Sequence, residues 1–146
     1  MPDPTTLLLI RHGQTDWIAK GVAGRLPGVH LNAEGRDQAA RLAGRCRALP
    51  IAVVYSSPLE RALETAVPLA EAFGLEVRPC PEAVELDFGE WAGHGDVIRA
   101  AIAYCLGVPL DLFLRIEIRP ASVSSVRFYD ESLLVLGVND TGELYT

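Results

Sequence analysis

The sequence predicts an α/β fold, and three observations carry that prediction. An apolar run, Thr5-Thr6-Leu7-Leu8-Leu9-Ile10, stops abruptly at Arg11-His12-Gly13, as a strand buried on both faces would where its carboxyl end meets solvent. A second short run, Ile51-Ala52-Val53-Val54-Tyr55, leads directly into the helix-start signature Ser56-Ser57-Pro58-Leu59-Glu60-Arg61. Between the two lies a stretch of helical periodicity. Strand, helix, strand, helix in this order describes βαβ units. In such sheets ligands bind beyond the carboxyl ends of the strands, which is where both polar turns fall.

Each element has its own warrant. Ala39, Leu42, Ala43, Cys46 and Leu49 recur at helical spacing over residues 33–49, with Asn32 as cap and Pro50 as stop. In the second helix Ser57 is the expected cap, Pro58 the first helical residue and Glu60 the capping-box partner. Its apolar face runs through Leu59, Ala62, Leu63, Ala66, Leu69, Ala70 and Phe73, with a kink expected at Pro68 and an end at Gly74. Residues 75–78 read as a third strand. His94-Gly95 opens a further helix over residues 96–106, buried through Ile98, Ala101, Ile102 and Cys105. Residues 110–118 form another helical turn or an extended piece, and residues 121–128 and 133–138 a hairpin.

Composition narrows the function classes. The chain of 146 residues is 49% hydrophobic and 22% charged, ordinary for one soluble domain with a real core. A net charge of −6 without a Lys/Arg run argues against nucleic acid. An anionic substrate would need a local basic pocket. The apolar region 97–114 is interrupted by Arg99, Pro109 and Asp111, so no membrane span is expected. The N-terminus lacks the basic region and cleavage site of a signal peptide. Cys46, Cys80 and Cys105 are odd in number and lack metal spacing, which suits small buried hydrophobes in a reducing compartment. The expected location is the cytoplasm. His30, in the Gly-rich loop after Trp17, reads as an ordinary surface histidine.

Arg11, His12 and Gly13 combine a phosphate- or carboxylate-binding fork, an imidazole able to act as base or nucleophile, and a residue that permits a tight turn. Arg61, in the first turn of the second helix, would place another guanidinium at the same sheet edge, beside helix-terminal N–H groups.

Four pieces in order carry a family resemblance: Leu9-Ile10-Arg11-His12-Gly13-Gln14-Thr15-Asp16-Trp17, Ser56-Ser57-Pro58-Leu59-Glu60-Arg61-Ala62, Glu85-Leu86-Asp87-Phe88-Gly89-Glu90-Trp91 and His94-Gly95-Asp96-Val97-Ile98-Arg99. Together they resemble the histidine phosphatase superfamily, in its branch of cofactor-dependent phosphoglycerate mutases and related phosphatases. The resemblance implies a three-layer α/β/α sandwich with a mostly parallel sheet, in a single domain over residues 1–146. It also implies a phosphohistidine mechanism. His12 would be the nucleophile, Glu85 the proton donor to the leaving alkoxide, and His94 a third cation on the phosphoryl oxygens beside Arg11 and Arg61. Gly13, Thr15 and Arg25 complete the implied substrate-binding set, Arg25 being the candidate for a second anionic group. No metal or other cofactor is implied.

The resemblance has one break. In the family several dozen residues and a core strand separate the Gly-x-Trp loop from the second histidine, whereas here Gly93 joins His94 directly. The chain reads as a family member lacking an internal segment, with strand edges left unpaired and a homodimer correspondingly favoured. Two function classes follow. One is an enzyme acting on a small phosphomonoester, a hydrolase ahead of a mutase (isomerase). The other is an inactive derivative that keeps an anion pocket or serves through its contacts.

Overall fold

In a computed structural model, residues 3–19, 23–84, 94–142 and 144 are described. The elements are β1 (Thr5–Ile10), α1 (Ala33–Arg45), β2 (Val54–Ser56), α2 (Glu60–Ala72), β3 (Val77–Pro79), α3 (His94–Leu106), β4 (Val123–Phe128) and β5 (Leu133–Asp140). Short 3-10 helices cover Asp16–Ala19, Pro81–Ala83 and Leu110–Arg115. Strands and helices alternate as expected, so the α/β class holds.

The sheets depart from a mostly parallel arrangement. β1 pairs antiparallel with β4, Leu7 opposite Val126, and β4 pairs antiparallel with β5. The parallel pairing among the described residues is β2 with β3, Val54 opposite Val77. These make a three-stranded sheet in the order β1-β4-β5 and a separate two-stranded one. The hairpin formed by β4 and β5 supplies the antiparallel partner to β1, a pairing that local sequence patterns do not specify. One edge of β1 and one of β2 carry no ladder among the described residues. Nor is β1 buried along its whole length: residues 5–7 are exposed and residues 8–10 half-buried. Tyr55 of β2 is 58% exposed.

Side chains alternate across β1 into two cores. On one face Leu8 and Ile10 join Leu42, Ala43 and Cys46 of α1, Leu69 of α2 and Val123 of β4. On the other, Leu9 joins Ile98 and Ile102 of α3, Ile118, Val126 of β4 and Leu133 and Val135 of β5. Helices thus cover both faces of the β1-β4-β5 sheet, giving three layers. Among the described residues no helix is long and apolar enough to cross a membrane.

Element ends shift by a few residues. Asn32 caps α1 as expected, its Oδ1 accepting the Gly35 N–H at 2.8 Å, but the helix closes at Arg45 rather than running to Leu49. α2 begins at Glu60: Ser57 accepts the Leu59 N–H at 3.2 Å and so closes the turn before the helix instead of capping it. Pro68 lies inside α2 and cannot donate to the Glu64 carbonyl. Of the cysteines Cys46 is buried, whereas Cys80 and Cys105 are half-exposed, contrary to expectation.

One contact sets the position of the β1 terminus. The Gln14 carbonyl accepts the Asn32 N–H at 3.0 Å, and the turn after His12 rests on the first turn of α1. A Cβ on Gly35 would stand 2.0 Å from the Gln14 carbonyl oxygen, and one on Gly13 would stand 2.5 Å from the Gly35 carbonyl oxygen. Both positions must be glycine for the two backbones to meet. Gly35→Ala is expected to cost about 2 kcal/mol, seen as a fall of roughly 4–8 °C in Tm. Gly44→Ala is the matched control: it lies in the same helix with open space around it and should be neutral or stabilising by up to about 1 kcal/mol. Thermal unfolding of the two variants checks the difference.

Candidate active site

The site forms where β1, the first turns of α2 and the loop before β4 converge. The Arg11 and His12 carbonyls both accept the Ala121 N–H, at 3.1 and 3.2 Å, and the Arg11 N–H donates to Ser122 O at 3.2 Å. Ala121 itself is held at φ 55, a left-handed conformation that is unusual for alanine. Arg45 of α1 secures that loop by donating to the carbonyls of Ala121 at 3.1 Å and Asp140 at 2.9 Å. On the other side the Gly13 N–H donates to Thr65 Oγ1 at 3.0 Å, and that hydroxyl donates to the Arg61 carbonyl at 2.8 Å. The Gln14 N–H donates to Gln38 Oε1 at 2.9 Å. The polypeptide at residues 11–14 is therefore pinned from β4, α1 and α2 together.

The imidazole of His12 is held as firmly. Its Nδ1 lies 2.7 Å from the Gly13 carbonyl oxygen. A carbonyl can only accept, so Nδ1 carries the hydrogen, and in the neutral ring Nε2 keeps its lone pair. The ring stays neutral because its pKa is lowered to about 4: burial is the largest cause, and the charges of Arg61 and Arg11 add to it against the opposing Gly13 bond. A half-buried neutral imidazole that feels two guanidinium charges is suited to attack an electrophile that brings its own negative charge.

Arg61, the second residue of α2, is 1% exposed and not the solvated side chain that its polarity alone would suggest. Its Nη2 donates to the Gly24 carbonyl at 2.5 Å. Arg11 donates through Nη1 to Ile118 O at 2.6 Å, so part of its fork is used to fix its own position. Thr15 is buried and bridges to Leu31, which ties the turn after His12 to the end of the Gly-rich loop. Arg25 is exposed on that loop, next to Gly24. His94 opens α3, but its ring lies outside the described residues, and so does Glu85.

The structure thus assembles Arg11, His12, Gly13 and Arg61, with Arg25 on an adjoining loop. Sequence reasoning missed Thr65, Gln38 and Gly35, which act through the backbone of residues 13–14. It also missed the link from His30 to Glu64 Oε1, which makes His30 more than a solvated residue. The spacing of Glu60, Arg61, Glu64 and Thr65 on one helical face was a usable signal for the α2 contacts.

The arginine–histidine–glycine turn at the end of β1 is thus faced by a buried arginine from α2. The family profile for the histidine phosphatase superfamily (branch 1) matches residues 7–93 and 92–141, and the chain belongs to that superfamily. The two matched stretches meet at residues 92 and 93, next to the Gly93–His94 join. Among curated relatives, an uncharacterized protein of Mycobacterium tuberculosis is 41% identical over 99 residues, covering 66% of this chain and 49% of that protein. Phosphoserine phosphatase 1 of Hydrogenobacter thermophilus is 38% identical over 87 residues, covering 60% of this chain and 41% of that enzyme. The chain therefore spans about half the length of the curated relatives it matches. The fold resembles that of the alpha-ribazole phosphatase from Shigella flexneri, with a TM-score of 0.84 at 19% identity over 97% of this chain and 100% of the other. It also resembles phosphoserine phosphatase from Entamoeba histolytica, solved with 3-phosphoglyceric acid: TM-score 0.80, 20% identity, 93% of this chain and 97% of the other.

The His12 environment has a measurable consequence. The folded state releases the ring proton at about 4 and the unfolded chain near 6.5. Between these values the unfolded state binds more protons, so stability rises with pH across the window and is lost as pH falls through it. The whole window corresponds to about 3 kcal/mol. In His12→Asn the slope of unfolding free energy against pH inside the window should fall by up to about 1.4 kcal/mol per pH unit. Urea unfolding at a series of pH values checks this.

Proposed function

We propose that this chain hydrolyses a small phosphomonoester through a phosphohistidine on His12. The observation that carries the proposal is the Nδ1–H bond from His12 to the Gly13 carbonyl, which leaves Nε2 unprotonated between Arg11 and Arg61. Nε2 attacks phosphorus in line, the new N–P bond forms as the ester P–O bond breaks, and the departing alkoxide takes a proton. Glu85 is assigned the donation and His94 a share of the phosphoryl charge, both through the family motifs they match. Water then attacks the phosphohistidine, giving inorganic phosphate and restoring the neutral ring. Positive charge around the phosphoryl oxygens is most of what such a transfer asks of a protein, because the transition state spreads charge over those oxygens. Phosphatases among the relatives and structural neighbours support hydrolysis over isomerisation. A small phosphorylated metabolite is the expected substrate class.

Two measurements test this. Protein mixed with a labelled phosphodonor and quenched in alkali should retain label, and His12→Ala should retain none; label persisting in the variant would assign the phosphoryl group elsewhere. Arg61→Lys keeps the charge in its buried position but removes the planar fork. It should weaken inorganic phosphate binding about tenfold or more, and unchanged affinity by calorimetry would take Arg61 out of the phosphate site.

A further inference from the structure

The first two turns of α2 carry two carboxylates that phosphoryl transfer does not use, and both face the loop at residues 23–31. Glu60 Oε1 accepts the Gly28 N–H at 3.0 Å. Glu64 Oε2 accepts the Leu31 N–H at 2.7 Å, and its Oε1 accepts Nδ1–H from His30. Between them Arg61 donates to the Gly24 carbonyl. Positions 60, 61 and 64 lie on one helical face, so a single stripe of α2 grips the loop at Gly24, Gly28, His30 and Leu31. The opposite end of the same stripe, Thr65, holds Gly13.

Two carboxylates beside an anion site would repel a phosphate unless their charge were offset. Here backbone N–H groups and the His30 ring offset it. Glu60 is held below the usual carboxylate range chiefly by the Gly28 N–H. His30 holds its proton more firmly than a free imidazole because of its bond to Glu64, with the charges of Glu64 and Glu60 adding. The loop they fasten ends in an exposed tip of Arg25, Leu26 and Pro27, Leu26 being 46% exposed. The tip begins one residue beyond the carbonyl that accepts from Arg61.

Resting on the phosphatase reading above, we propose that Glu64, together with His30, is a positioning residue that sets the Arg25-Leu26-Pro27 tip against the organic half of the substrate. The phosphate group itself is assigned to Arg11, His12 and Arg61, whereas the bonds of Glu64 go to His30 and Leu31, at the other end of the loop from the Gly24 carbonyl that Arg61 uses. Glu64 should therefore govern affinity for the ester's organic half and not for the phosphoryl group. A guanidinium and two apolar side chains suit a substrate with a flat or apolar organic portion, which an arginine can stack upon.

The test compares binding of inorganic phosphate and of phenylphosphonate, a non-hydrolysable probe, so that turnover is not required. Wild type, Glu64→Gln, His30→Gln, Arg25→Ala and the double variant Glu64→Gln/Arg25→Ala are titrated by calorimetry. Glu64→Gln and His30→Gln are each expected to weaken phenylphosphonate about threefold or more while phosphate affinity stays within about twofold. In the Arg25→Ala background the Glu64 substitution should have little further effect, because both act through one loop. Equal losses for phosphate and phenylphosphonate, or additive losses in the double variant, would overturn the positioning role and leave the phosphatase reading intact. Failure of wild type to bind phosphate would overturn the phosphatase reading and the positioning role with it.

Discussion

The backbone of residues 13 and 14 meets the backbone of residue 35 more closely than any side chain would permit. That contact does more than end a strand. It seats the turn after His12 on the N-terminus of α1, and the Thr65 hydroxyl then anchors the same turn to α2. With Ala121 holding the carbonyls of residues 11 and 12 from the β4 side, three separate elements determine where His12 stands. A side-chain contact such as that of Thr65 could give by rotamer change, whereas the backbone contacts to Gly35 and Ala121 cannot, so the imidazole inherits the rigidity of the core.

Electrostatics follow from that placement. Once the ring is buried beside two arginines, the neutral form is favoured, and its single N–H is committed to a carbonyl one residue away. The site thereby concentrates positive charge on a protein of net charge −6. The Gly24 carbonyl takes up part of the hydrogen-bonding capacity of the buried Arg61 guanidinium, a group that water would otherwise solvate. The loop that supplies this carbonyl is in turn gripped by Glu60 and Glu64.

The sheet architecture is less regular than the site. β1 and β2 belong to different sheets, and each has an edge without a ladder among the described residues. What holds the two sheets in register is helical: α1 packs against α2, and Leu69 of α2 shares a core with Leu8 and Ile10 of β1. Burial along β1 grades from exposed to half-buried toward its carboxyl end, so the end that carries the chemistry is the end that is packed.

Local chemistry was legible in the sequence wherever it depended on neighbours along the chain. The strand run before Arg11, the Asn32 cap, the helix start near Pro58 and the candidate roles of His12 and Arg61 are all encoded within short windows, and motif order was enough to define the superfamily. The antiparallel partner of β1, the burial of Arg61 and the bond from Glu64 to His30 were not legible. Each joins residues far apart in sequence, β1 to β4 across more than a hundred positions and Glu64 to His30 across 34. The glycine at position 35 shows the division well: its place in the first turn of a capped helix can be read locally. The need for glycine there comes from a carbonyl on another element 2.0 Å from where a Cβ would stand. Patterns along the chain determine which elements form and which groups can do chemistry. Only packing decides which backbones touch, which charges lose water and therefore which imidazole stays neutral.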